Sequence, residues 1–109
     1  MSRKLLWRAA VAMQHAESAR TLAYEIRHAD DARQALEAAR RALEVRSASV
    51  DQLRSGAAKA VAARAIALEV AELERMDAAL HELEVRVAEA IEGGDDVYSL
   101  RPLPSETNN

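Results

Sequence analysis

Residues 73–90 read LERMDAALHELEVRVAEA. Leu73, Met76, Leu80, Leu83 and Val87 recur there at alternating steps of three and four, and Ala90 continues the series. Those steps bracket one helical turn, so all six fall on a single stripe of an α-helix. Glu74, Arg75, Glu82, Glu84, Arg86 and Glu89 occupy the remaining faces, which makes the segment amphipathic. This is the a/d spacing of helices that pack along their length, and it assigns Leu73, Met76, Leu80, Leu83 and Val87 to a core seam.

Ile66 extends the seam upstream, and a second series repeats every seven residues at Leu22, Ala29, Leu36, Leu43, Val50 and Ala57. Nine residues separate Ala57 from Ile66, so the two series differ in phase and the seam breaks between Val50 and Ile66. Two turn signals compete in that window. Ser49 with Gln52 can form a capping box after the weakly helical Ser47-Ala48-Ser49. Ser55-Gly56 can instead end a helix, with Gly56 in the left-handed position. Either choice leaves two arms, one running from Arg3 to Arg46 or Arg54 and one from Ser49 or Ala57 to Glu92. Ser2 is placed to cap the first. Gly93-Gly94 stops the second, and Pro102 and Pro104 keep the last residues of the chain out of a helix. The pattern predicts an all-α fold: a long two-helix antiparallel coiled-coil hairpin over residues 1–94 with its turn within 47–57, then an extended proline-containing tail over 95–109.

Charge sets the expected orientation. Residues 1–54 carry ten Lys/Arg and seven Asp/Glu, a net of +3, whereas residues 55–109 carry five and eleven, a net of −6. A hairpin lays the basic start, with Arg3, Lys4 and Arg8, against the acidic end, with Glu89 and Glu92. Each charge alone opposes its helix dipole, and the two ends compensate when adjacent. A parallel dimer of one rod would set acid beside acid.

The composition limits the core. Of 109 residues 25 are alanine, there is no phenylalanine, and the net charge is −3. Alanine gains little on burial, so helices that pack closely, or that share a core with a second copy, suit the chain better than a bulky monomeric core. The lack of cysteine excludes disulfides and thiolate sites. No apolar run approaches a transmembrane length, and Arg8 interrupts Leu5-Leu6-Trp7, which defeats a signal-peptide reading of the start. The chain is expected to be soluble and cytoplasmic.

Two segments stand out as partner-binding candidates. The tail residues Val97, Tyr98, Leu100, Arg101 and Leu103 alternate apolar and polar side chains on an extended segment, the form of a peptide that enters another protein's groove; folding back to cap the hairpin is the competing reading. At the start, Leu5, Leu6 and Trp7 join the only tryptophan to a cluster of bases. Packing across the hairpin's open end, with Leu6 and Met13 against Ile91 and Val87, is the first expectation there, partner docking the second and membrane contact the third. Glu25 and His28 have the E-x-x-H spacing of carboxylate-bridged metal bundles, but no second such pair occurs, and an ordinary solvated pair is expected. Arg33, Arg40, Arg41 and Arg46 are interleaved with Asp30, Asp31, Glu37 and Glu44, which suits a salt-bridged face better than a nucleic-acid surface. His15 and His81 have no partners at ligand spacing, and no catalytic motif is present.

In length and hairpin shape the chain is similar to the small helical substrates of type VII secretion, although Arg54-Ser55-Gly56 supplies only the glycine of that family's Trp-x-Gly turn. The heptads and charged arms resemble the coiled-coil stalk protein of flagellar and type III export. Ser99-Leu100-Arg101 resembles the core of encapsulin cargo tails, with Tyr98 where that motif has glycine.

The residues thus lead to the expectation of a non-enzymatic coiled-coil interaction protein: an adaptor, chaperone or structural subunit. It would bind protein partners through helix faces and the tail, form a homo- or hetero-oligomer, and use no cofactor, metal or nucleic acid. A ferritin-like metal-binding half-bundle and a small secretion-associated hairpin protein are the alternatives.

Overall fold

Ser18-Ala19-Arg20-Thr21 contains neither glycine nor proline, yet it reverses the chain. The computed structural model, which describes residues 2–101, has three helices: α1 (Ser2–Glu17), α2 (Leu22–Val50) and α3 (Gly56–Glu92). All described regular structure is helical. The first arm of the two-helix hairpin is therefore two helices, and this is the main correction to the sequence reading. Its physical cause is local. The Ser18 N–H still donates to the Gln14 carbonyl at 3.1 Å, and the chain then tightens to a bond from the Ala19 N–H to the Ala16 carbonyl at 3.2 Å, where α1 ends. Thr21 is extended and accepts from the Tyr24 N–H at 3.1 Å, which caps a new helix.

The helices run up, down and up. His15 of α1 lies against His28 of α2, and Ser2 lies against Arg46, so α1 and α2 are antiparallel. Arg46 meets Glu69, while Arg33 meets Asp77 and Glu84, so α2 and α3 are antiparallel as well. The basic start of the chain consequently reaches the middle of α3, where Arg3 faces Glu69 at 4.0 Å, rather than the acidic end at Glu89 and Glu92. Leu6 and Met13 are buried in the core, but Ile91 is half exposed, so the open-end packing expected for that group is not what forms.

Asp51 to Ser55 make the second reversal. Ser55 caps α3 by accepting from the Ala58 N–H at 3.2 Å, and Gly56 is the first residue of that helix, not a left-handed terminator. At the other end of α3 the Asp95 N–H reaches the Ala90 carbonyl and the Gly94 N–H reaches Ile91, each at 3.1 Å. That pairing needs a left-handed residue, and Gly94 supplies it with φ +79°.

Leu22, Leu36, Leu73, Leu80 and Leu83 are almost wholly enclosed. Ala9, Ala16, Ala32 and Ala39 sit between them with no more than 1% of their surface exposed. The small side chains allow the helix axes to approach, so the alanine content becomes tight packing of a slim body, 60 × 27 × 18 Å, rather than bulk. Leu73, Leu80, Leu83 and Val87 are buried and Met76 is partly buried against them. Because α1 starts level with Glu69, the α3 segment before it and the end of α2 project beyond the three-helix body as a two-helix arm.

Candidate functional site

Three features of this fold could meet a partner. The first is the projecting arm. From Gly56 to Ala71, α3 carries only Lys59, Arg64 and Glu69 as charges, yet every residue there except Ala62, Ile66 and Glu69 is exposed. Val61 is 72% and Leu68 69% exposed. A helix apolar on most of its circumference is ordinarily a buried one.

The second is a groove of about 640 Å³ between α1 and α2. Leu5, Val11, Ala35 and Ala38 give it an apolar lining. Trp7, Arg8 and Arg41 stand at one end, with the Trp7 side chain largely exposed. At the other end the His15 and His28 rings meet edge to face at 5.0 Å, and Tyr24 meets His28 at 4.3 Å. Asp31 lies 3.9 Å from His28 Nδ1, while His28 Nε2 is shut off from solvent and makes no hydrogen bond among the described residues. Of the start residues, Leu6 is core, Leu5 is half-buried in the groove wall and only Trp7 is presented outward.

The third is the tail, which folds back onto its own chain, though not over Leu5, Leu6 and Trp7. The Ala23 N–H donates to the Val97 carbonyl at 2.8 Å, and the Arg101 N–H to the Arg20 carbonyl at 2.6 Å. Ala23 is in the first turn of α2, where backbone donors have no helical acceptor, so the tail completes a cap that Thr21 begins. The Arg101 guanidinium then donates to Glu25 Oε1 at 2.7 Å. Val97 is packed against the core, while Tyr98 and Leu100 point into solvent at 78% and 73% exposure. Asp96 shapes this bend by accepting from the Tyr98 N–H and the Ser99 hydroxyl, which hold its carboxyl below the usual range. Leu103 lies outside the described residues.

Glu25 and His28 differ from the solvated pair that their spacing suggested. Glu25 is 7% exposed with its carboxylate on Arg101, and His28 is enclosed by rings. No cluster of three or more His, Cys, Asp or Glu side chains placed to hold a metal ion occurs among the described residues.

The Arg33, Arg40, Arg41 and Arg46 face is partly taken up by α3. Arg33 donates to both Glu84 oxygens, at 3.1 and 2.6 Å, and to Asp77, contacts that raise its pKa further against the cost of burial. Arg46 donates to Glu69 at 2.7 Å and to the Ser2 hydroxyl at 2.8 Å, and Ser2 donates to Glu69. Burial alone would raise the Glu69 pKa, but Ser2, Arg46 and Arg3 outweigh it and hold the carboxyl below its ordinary value. A depressed folded-state pKa stabilises the fold above the unfolded value and is lost as pH falls through the folded one. Native stability should therefore decline through and below the ordinary glutamate range, and Glu69→Gln should flatten that decline. Parallel pH curves for the two proteins, obtained by denaturant unfolding, would remove Glu69 as the anchor that ties α1 to α3.

No helix among the described residues is long and apolar enough to cross a membrane. No protein-family model, curated protein or solved structure matches this chain.

Proposed function

We propose that the chain is a non-enzymatic helical interaction protein of the cytoplasm, an adaptor, chaperone or structural subunit that works by presenting helix faces to other proteins. The observation that carries this reading is the projecting arm, where Val61 and Leu68 are left in water on a helix with few charges. Leaving a Leu or Val side chain exposed forgoes about 1.5–3 kcal/mol that burial against a partner would recover. Single exposed apolar residues are ordinary, but a largely exposed helical segment with so few charges is not. Tyr98 and Leu100 offer a second, smaller surface, held in place by the backbone bonds of the tail.

A photo-crosslinking residue in place of Leu68, introduced in cells, tests this. Leu68 should give discrete protein adducts, and the same probe in place of Glu82, on the charged outer face of α3, should give few. Equal or absent labelling at the two positions would sink the reading.

A further inference from the structure

Two surfaces lack a partner among the described residues: an apolar ridge, and a groove lined by apolar and charged side chains alike. One is a ridge on the projecting end of α3, where Val61, Ala65 and Leu68 succeed each other at steps of four and three. The other is the concave strip between α1 and α2, whose Ala35 and Ala38 leave room for a large side chain between them and Val11. We propose that the α3 ridge of one copy seats in the α1–α2 groove of a second copy, and that the two copies exchange this contact reciprocally to form a closed dimer. The proposal rests on the interaction reading above and names the partner as this same chain.

The order of charges selects this occupant and its direction. On α3, Arg64 precedes Leu68 and Glu72 comes after it. Along the groove, Asp31 marks the histidine end, Arg8 and Arg41 line the tryptophan end, and Glu37 lies one turn before Arg41. Within one copy α2 and α3 are antiparallel, so two copies lying head to tail make the α3 of one parallel to the α2 of the other. Arg64 then comes level with Asp31 of the second copy, and Glu72 with Arg41. At helical rise the first pair of positions spans about 12 Å and the second about 15 Å, a difference that long side chains absorb. The opposite orientation sets Glu72 against Asp31 and Arg64 against Arg41, repulsive at both ends.

The arrangement also closes. In each copy the arm projects beyond α1, and the groove lies along the three-helix body. Turning one copy end over end brings each arm beside the other copy's body. Both ridges and both grooves are then used, and none remains to extend a chain of subunits. His15 and His28, at the end of the groove that receives Val61, become part of the contact, as does the exposed Trp7 at the other end.

The test uses the purified full chain. Sedimentation equilibrium should show a dimer at micromolar concentration. With a photo-crosslinker at position 68 in a mixture of isotopically light and heavy protein, light–heavy adducts should map to residues 5–12 or 31–41. Glu72→Arg and Arg41→Glu should each weaken the dimer about tenfold while leaving helicity unchanged, and the double variant should recover most of that loss. A chain that stays monomeric, adducts joining position 68 to position 68, or a double variant weaker than either single one would overturn the proposal. If the purified chain is monomeric while position 68 captures a different protein in cells, the second-copy inference fails and the interaction reading stands. If neither adduct forms, both fail.

Discussion

Leu80→Ala should cost about 2–5 kcal/mol of folding stability, because it deletes a large side chain from a site that surrounding helices cannot easily close. Leu80 has no exposed surface and lies in the same cluster as Leu36, Leu73 and Leu83. The fold holds few large apolar residues, and alanines fill much of the remaining interface, so little bulk is at hand to move into the vacated space. Ile91 is the internal control, being on the same helix and half exposed; Ile91→Ala should change stability by no more than about 0.5 kcal/mol. Both values come from denaturant unfolding at one protein concentration, so that self-association does not enter the comparison. A Leu80→Ala cost no larger than the Ile91→Ala cost would mean that the stripe through residues 73–87 is not what joins α3 to α2.

That stripe was legible because its signal is redundant: several large side chains agree on one phase, and charges fill the other faces. The break between α2 and α3 was legible as a region for a similar reason, since two seven-residue series are out of step across it. Its detail was not, because Ser49, Ser55 and Gly56 each carry turn chemistry. Tertiary packing settles the competition, with Ser55 serving as the cap of α3. The break at residues 18–21 went unread for want of glycine or proline, yet a phase signal was present. Leu6 and Met13 are seven apart, the next step falls on Arg20, and the series resumes at Leu22. A shift of two residues turns a helix face by more than half a revolution, so one straight helix could not have buried both sets. Charge totals over the two halves of the chain gave a hairpin of two arms; α2 and α3 are antiparallel, but α1 makes the fold three helices. The totals could not show that the basic start pairs with Glu69, since that depends on where α1 turns back.

The candidate surfaces were less legible than the core, for a physical reason. Exposure of an apolar residue is a property of what is missing beside it, and sequence pattern records only what is there. No pattern around Val61 and Leu68 marks them as a surface; their exposure follows from α1, which starts level with Glu69 and does not cover them. The groove depends on α1 and α2 being separate helices, so it could not appear in a two-helix reading. Glu25 and His28 were read from their spacing as a pair, and the fold gives each a different neighbour.

The tail should prove to be a clasp for the α1–α2 turn, and Arg101→Ala should reveal it. Glu25 is buried in the first turns of α2, and its carboxylate is met by the Arg101 guanidinium arriving from the far end of the sequence. Removing that partner leaves an enclosed carboxylate unpaired, which costs about 1–3 kcal/mol, with the lower part of the range applying if water enters where Arg101 is itself 38% exposed. Deleting residues 95–109 removes more: the Arg101 contact, the Val97 packing, and the carbonyl that accepts from the Ala23 N–H at the start of α2. For a domain of this size about 1 kcal/mol corresponds to roughly 4–8 °C in Tm, so the truncation should lower the thermal midpoint by more than the point substitution does. Glu25→Gln separates charge from shape, since it keeps the side chain's volume and removes the burial cost of the carboxylate. Combined with Arg101→Ala, it should recover part of the loss. Should the truncated chain keep its midpoint, the backbone bonds from Ala23 and Arg101 would be contributing nothing to folding. Tyr98, Leu100 and their neighbours would then have to be read as a peptide held ready for another protein.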